Sequence, residues 1–121
     1  MIPSQFKYVR AASVKEAISL LQETDGEGKV LAGGHSLVPL MKFRITTPGT
    51  LVDITRIPDL NNVKVEDGRL VVGALKTHFE ISKDETIIEN LPSLAQTASL
   101  TGDLQVRNHG TIGGNIVHGD P

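Results

Sequence analysis

The strongest constraint on the fold is the alternation of strand and helix patterns over residues 7–57. A helix is predicted over 14–23, where apolar residues recur at i, i+3, i+4 and i+7 and so share one face. Short apolar runs at 29–32 and 51–54 predict buried strands, and a second short helix is predicted to begin at Ser36. Because strands that alternate with helices pair in parallel, this half is predicted to form a small parallel βαββ subdomain.

The next segment has a different pattern, which predicts antiparallel pairing. Strand-like runs at 63–66 and 69–72 flank Asp67-Gly68, a dipeptide that is typical of two-residue hairpin turns. Thr77 is followed three residues later by a glutamate, and this capping-box spacing predicts a helix over 78–83. The second half is therefore expected to begin as an antiparallel α+β subdomain.

The rest of the second half combines a helical stripe with a glycine-rich tail. Four apolar residues at helical spacing predict another helix, closed by Gly102: Leu91, Leu94, Ala95 and Ala98. From 105 to 121 the density of glycine predicts a loop with one short strand at 116–117. The two patterns divide an α+β chain into subdomains of about 1–58 and 59–121.

The composition restricts the chemistry that is available to the chain. Its 121 residues carry a formal net charge of −2, which argues against a site that binds nucleic acid by electrostatics. The chain has no cysteine, which excludes a thiol nucleophile and cysteine-ligated metal clusters within it. No apolar stretch approaches the roughly 18 residues of a membrane-spanning helix, so no transmembrane segment is predicted.

The first candidate site is a glycine pair between a predicted strand and a predicted helix, in Ala32-Gly33-Gly34-His35-Ser36. Glycine allows close approach of a ligand to the backbone, and N–H groups at the start of a helix favour an anion. The Ser36 hydroxyl can cap that helix or bind a phosphate. The alternative interpretation is a tight turn with no ligand.

A second glycine pair lies in Gly110-Thr111-Ile112-Gly113-Gly114-Asn115. Consecutive glycines can form a nest of N–H groups for phosphate oxygens, and Thr111 and Asn115 can add side-chain hydrogen bonds. The alternative is a loop or β-bulge without a ligand. Two such pairs favour a pyrophosphate held from both sides, although neither pair fits the P-loop or Rossmann pattern.

Other polar residues are weaker candidates. The histidines lack the spacing of metal ligands, so no metal site is predicted, and no residue is predicted to act as a catalytic acid, base or nucleophile. Asp53 is interpreted as a strand-end cap, with ligand contact as the alternative. Arg107 precedes the second glycine pair, where its charge suits a pyrophosphate, a partner's carboxylate or a surface salt bridge.

Three segments together resemble the FAD-binding medium subunits of molybdenum hydroxylases: AGGHSLVPLMKFR at 32–44, LVDI at 51–54 and QVRNHGTIGGN at 105–115. The likeness is closest to the medium subunits of aerobic carbon monoxide dehydrogenases and looser to the flavin subunits of xanthine and aldehyde dehydrogenases. It covers essentially the whole chain. It implies the N-terminal portion of a PCMH-type, vanillyl-alcohol-oxidase-like FAD-binding domain.

The resemblance also implies the cofactor, FAD, and two motifs that bind its pyrophosphate. The first motif comprises Ala32, Gly33, Gly34, His35, Ser36, Leu37, Val38 and Pro39. The second motif comprises Thr111, Ile112, Gly113, Gly114 and Asn115.

In enzymes of this family, electrons pass from molybdenum on a large subunit through iron–sulfur clusters on a small subunit to FAD, and then to an external acceptor. The resemblance therefore implies an oxidoreductase subunit, these two partner subunits, and a cytoplasmic location, either free or peripheral to the inner membrane face through the complex.

The chain stops directly after its glycine-rich stretch, at Gly119-Asp120-Pro121. We therefore expect a flavin domain that is incomplete at its C-terminus and inactive by itself. Two alternatives stay open: a truncated piece that contacts sister subunits without binding flavin, and a general nucleotide- or anion-binding module.

Overall fold

The computed structural model describes residues 1–119, so Asp120 and Pro121, which end the predicted second subdomain, lie outside the described residues. The chain divides into two compact units, of which one spans Met1–Pro58 and the other begins at Asp59. Both units contain helices and strands, which confirms the predicted α+β class.

The first unit is built on a three-stranded parallel sheet. Its strands are β1 (Lys7–Arg10), β2 (Gly28–Leu31) and β3 (Thr50–Asp53), arranged in the order β1-β3-β2. Both outer strands pair in parallel with β3, which confirms the predicted parallel subdomain. Because β3 has a strand on each side and a helix against it, its last three residues are buried.

Two helices connect these strands. Helix α1 (Val14–Gln22) begins at Ser13, whose hydroxyl accepts a hydrogen bond from the Glu16 N–H, and α2 (Leu37–Lys42) follows the first glycine pair. Each contributes one buried side chain, Ala17 and Met41 respectively, to an aliphatic core. The buried hydrophobic residues of this unit are Ala11, Ala17, Met41, Leu51, Val52 and Ile57.

The second unit begins with the predicted hairpin. A 3₁₀ turn over Pro58–Leu60 precedes β4 (Val63–Glu66), which pairs antiparallel with β5 (Arg69–Val72). Asp67 and Gly68 have φ of 52° and 73°. Left-handed backbone at both central positions is the requirement of the type I′ hairpin turn, so the prediction from this dipeptide is confirmed.

Three helices pack on the hairpin: α3 (His78–Lys83), α4 (Glu85–Asn90) and α5 (Pro92–Ser99). The predicted capping box at Thr77 is present, whereas α4, which begins after Asp84, was not predicted. The core of this unit consists of Ile81, Ile87, Ala95 and Ala98, with partly buried hairpin residues against it.

The prediction for the tail is wrong. Most of residues 105–119 form two helices rather than a loop, and the segment predicted as a strand lies within the second of them. Helix α6 (Leu104–His109) begins after Asp103, whose Oδ1 accepts from the Val106 N–H at 2.8 Å. Helix α7 (Ile112–His118) begins after Thr111, which provides the same kind of cap. These caps and tertiary hydrogen bonds outweigh the low helix propensity of glycine.

Candidate functional site

The first motif lies at the carboxyl edge of the parallel sheet, directly after β2. This is the edge at which ligands bind in open parallel sheets. Gly34 has φ of 72°, and its carbonyl accepts from the Val38 N–H at 3.0 Å. The left-handed conformation explains why glycine occupies this position, because a side chain there would be strained. The chain thus turns sharply from the strand into α2.

The backbone of this turn leaves several donors unpaired. Among residues 1–119, none accepts a hydrogen bond from the N–H of Gly33, Gly34, Ser36 or Leu37. Ser36 is the N-cap residue of α2, yet its hydroxyl makes no capping hydrogen bond. An anion with several oxygens can accept these donors, so the first motif fits a phosphate or pyrophosphate.

The N–H groups of the second motif, by contrast, are already donated within the chain. The Ile112 N–H donates to the Lys76 carbonyl at 2.9 Å, and the Gly113 N–H donates to the Ala74 carbonyl at 2.9 Å. The Gly114 N–H donates to the Thr111 hydroxyl at 3.1 Å. The first two bonds attach the start of α7 to the segment after the hairpin, and the third caps the helix. The predicted nest of N–H groups is therefore not available to a ligand here.

The second glycine pair also has an explanation in packing. A Cβ at Gly113 would lie 2.6 Å from the Ala74 Cβ, which is closer than non-bonded carbon atoms approach. A Cβ at Gly114 would lie 2.9 Å from the Thr111 hydroxyl oxygen that caps the helix. What the second motif still offers a ligand is the exposed side of α7, including the Asn115 side chain.

The two motifs lie in different compact units of the chain. The geometry of each motif is defined within its own unit. The binding of one pyrophosphate by both motifs therefore stays a prediction. The assignment of the second motif as a cofactor-binding segment stays a prediction as well.

Arg107 contacts the backbone of its own unit through one guanidinium nitrogen. Its guanidinium donates to the Gly102 carbonyl at 2.7 Å and to the Thr101 carbonyl at 3.4 Å. These acceptors lie just after α5, where a cation satisfies carbonyl groups that the helix leaves unpaired. This contact is none of the three partners that the sequence suggested for Arg107.

Asp53 caps the end of its strand, as predicted, but it does so within a network that the sequence analysis missed. Thr55 donates its N–H and its hydroxyl to Asp53 Oδ1, and the Tyr8 hydroxyl donates to Oδ2. Burial works against the charged carboxylate, but these hydrogen bonds and the Arg10 charge lower the pKa of Asp53 overall. The signal in the sequence was a threonine two residues after an aspartate at a strand end.

The described residues offer no alternative metal centre. Within residues 1–119, no group of three or more histidine or acidic side chains is arranged to hold a metal ion. His78 is buried, and this burial lowers its pKa. No helix in the described part of the chain is long and apolar enough to cross a membrane.

Comparison with known sequences places this site in context. Residues 4–121 match the family model described as the FAD binding domain in molybdopterin dehydrogenase. The carbon monoxide dehydrogenase medium chain of Hydrogenophaga pseudoflava is 46% identical over the whole chain. The 6-hydroxypseudooxynicotine dehydrogenase complex subunit alpha of Paenarthrobacter nicotinovorans is 44% identical over 99% of it. The chain spans 42% and 40% of the length of these relatives, respectively.

The fold is also found in a solved structure. A chain of the Hydrogenophaga pseudoflava carbon monoxide dehydrogenase that lacks the Mo-pyranopterin moiety matches all of this chain with a TM-score of 0.96 and 46% identity. The match covers 42% of that chain. At this identity the likeness reflects common ancestry as well as a shared fold.

Proposed function

Because the chain belongs to the family of FAD-binding domains of molybdopterin dehydrogenases, whose cofactor is FAD, we propose that its first motif binds the FAD pyrophosphate. The observation that carries this proposal is the set of unpaired N–H groups at Gly33, Gly34, Ser36 and Leu37. A pyrophosphate has enough oxygens to accept all of them. The position at the carboxyl edge of a parallel sheet supports the same assignment.

Some residues of the first motif would donate hydrogen bonds to the pyrophosphate, and the others form the turn that positions those donors. Gly33, Gly34, Ser36 and Leu37 supply N–H groups, and the Ser36 hydroxyl adds one donor. Ala32, His35, Val38 and Pro39 form the rest of the turn and the start of α2. In the second motif, Thr111, Ile112, Gly113 and Gly114 hold α7 in place, and Asn115 is the residue whose side chain would contact the cofactor.

When it is bound, FAD supplies the two-electron and one-electron chemistry, which is the cofactor's own. The chain contributes binding and orientation. We infer that it belongs to a redox subunit that receives electrons from iron–sulfur clusters on a small subunit and delivers them to an external acceptor. A large molybdenum subunit would oxidise the substrate. The relatives' names, a medium chain and a subunit of a complex, support an assembly of this kind.

The substrate of the whole protein is not indicated by this domain. The two relatives are named for two different compounds, carbon monoxide and 6-hydroxypseudooxynicotine. A flavin-binding domain that serves enzymes with such different substrates does not itself select the substrate. We propose a cytoplasmic location on the basis of the same family assignment.

The cofactor assignment is tested by titrating the chain with FAD and following flavin fluorescence, with ADP and riboflavin as competitors. If the first motif holds the pyrophosphate, ADP displaces FAD and riboflavin does not. Equal affinities for ADP and FAD would favour a general nucleotide-binding module that makes no contact with the flavin ring. Failure to bind FAD under any condition would favour the alternative of a truncated piece that contacts sister subunits without binding flavin.

The partner assignment needs a second experiment. Residues 1–121 can replace the matching 42% of the Hydrogenophaga pseudoflava medium chain in a hybrid protein, because the two sequences align over this whole length. We expect the hybrid to retain FAD and to assemble with the other subunits of that enzyme. A hybrid that holds FAD but does not assemble would contradict the proposed partners while leaving the cofactor assignment intact.

A further inference from the structure

Three polar side chains of the first unit meet at the carboxyl end of β3. The Thr55 N–H and hydroxyl lie 2.8 Å and 2.6 Å from Asp53 Oδ1 and donate to it. The Tyr8 hydroxyl donates to Oδ2 of the same carboxylate. Asp53 is only 6% exposed, so its charge depends on these donors for the stabilisation that water would otherwise provide.

Asp53 also joins the three strands at this edge. Its register partners are Arg10 on β1 and Leu31 on β2. The Asp53 carbonyl accepts from the Ala11 N–H at 2.9 Å, and the next residue, Ile54, donates its N–H to the Leu31 carbonyl at 3.1 Å. The Asp53 side chain closes the turn after β3 and thereby aims the Ile54 N–H at the end of β2.

The end of β2 in turn determines where the first motif begins. Ala32 follows Leu31 directly, and Gly34 lies close against the Leu31 side chain. A Cβ at Gly34 would be 3.1 Å from Leu31 Cδ1. The carboxylate of Asp53 is thus connected, through Ile54 and Leu31, to the backbone that carries the unpaired N–H groups.

We propose that Tyr8, Asp53 and Thr55 form a positioning network that holds the first motif in the geometry that binds the pyrophosphate. The inference rests on the proposed function of that motif. None of the three residues is assigned contact with FAD. Their effect on affinity would pass through the end of β2, so a change in the network should weaken cofactor binding as well as lower stability, whereas loss of a hydrogen bond elsewhere in the unit should lower stability alone.

Thr55 allows the sharpest test, because it is exposed and its hydroxyl can be removed at almost constant volume. Thr55→Val removes the 2.6 Å hydrogen bond to Asp53, and Thr55→Ser retains it. The matched control is Thr24→Val, which removes the 2.6 Å hydrogen bond from the Thr24 hydroxyl to the Leu21 carbonyl. Thr24 lies in the same unit beside Gly28, at the opposite edge of the sheet.

We expect Thr55→Val to weaken FAD binding about tenfold, the effect of losing one hydrogen bond to a charged group. Thr55→Ser should restore the affinity to within about twofold of the parent. Thr24→Val should leave the affinity unchanged while lowering Tm about as much as Thr55→Val does. Equal affinities in all three variants would overturn the proposal. So would a loss of affinity in Thr24→Val that matches the loss in Thr55→Val, because the network would then be merely structural.

A second measurement separates this inference from the proposed function. NMR relaxation of the Gly33 and Gly34 amides in the chain without FAD reports how firmly the motif is held. We expect lower order parameters in Thr55→Val than in Thr24→Val. If the chain binds no FAD but this difference appears, the proposed function fails and the positioning network stands. If the order parameters are identical, the network is wrong whatever the affinity for FAD.

Discussion

Ser36 separates binding from stability more cleanly than the other residues of the first motif. Its hydroxyl makes no capping hydrogen bond, so Ser36→Ala removes nothing that the folded chain uses. We expect an unchanged Tm and a loss of FAD affinity of about tenfold, the contribution of one hydrogen bond to a charged phosphate. Calorimetric titration beside thermal unfolding measures both quantities. An unchanged affinity would mean that the hydroxyl does not contact the cofactor.

Gly113, unlike Ser36, is a residue whose substitution should lower the stability of the fold. Gly113→Ala places a Cβ 2.6 Å from the Ala74 Cβ and 2.9 Å from its carbonyl oxygen, so α7 must shift. We expect a loss of about 1–3 kcal/mol in the free energy of unfolding, measured in urea. Asn115→Ala in the same helix is the control, since that side chain is exposed, and it should cost less than about 0.5 kcal/mol. If Gly113→Ala were as stable as the parent, the close contact between Gly113 and Ala74 would not contribute to stability.

The start of α7 is an element whose formation depends on one cap. The Thr111 hydroxyl accepts from the Gly114 N–H at 3.1 Å, and Thr111 is 6% exposed. Thr111→Val fills the same volume without an acceptor, so we expect a loss of about 1 kcal/mol and faster hydrogen exchange at the Gly114 amide. Thr111→Ser should recover the slow exchange. Unchanged exchange in the valine variant would show that the cap does not hold this turn.

The same element shows why the tail was mispredicted. Two consecutive glycines lower helix propensity, and the residues around them carry no apolar pattern that predicts a helix. In the structure their N–H groups have partners: Gly113 donates to the Ala74 carbonyl, and Gly114 donates to the Thr111 hydroxyl. The contact with Ala74 joins residues 39 positions apart and cannot be read from the spacing around the glycines.

At the scale of the whole molecule, the two units should respond to acid in different pH ranges. Burial lowers the pKa of His78 below its usual 6.5, so the unfolded chain takes up this proton more readily than the folded one. The stability of the second unit from this source is complete above pH 6.5 and is lost as pH falls through the folded-state value. Asp53 in the first unit titrates below its usual 3.8, so its contribution is lost only at lower pH.

We therefore expect the second unit to weaken first on acidification. Urea unfolding at about pH 7 and pH 5.5, followed by hydrogen exchange in each unit, should show a loss in the second unit and little change in the first. His78→Gln is the matched variant, because glutamine does not titrate, and it should reduce this dependence. A second unit equally stable at both pH values would contradict the assignment to His78.

The sequence by itself determined the elements that depend on interactions between residues close together in the chain. Asp67-Gly68 specifies a hairpin because both positions require positive φ, and the Thr77 capping box specifies a helix because its partners are three residues apart. The parallel order of the first unit followed from the same kind of evidence. The resemblance carried by the glycine motifs was sufficient to predict the family and its cofactor.

Only the tertiary structure distinguished the two glycine pairs, which look alike in the sequence. The Ala74 carbonyl accepts the Gly113 N–H and the Thr111 hydroxyl accepts the Gly114 N–H, whereas no described residue accepts those of Gly33 and Gly34. Whether a backbone N–H is available to a ligand depends on which distant carbonyl or hydroxyl lies within about 3 Å of it. The packing of the chain decides that distance, and no local pattern of residues encodes it.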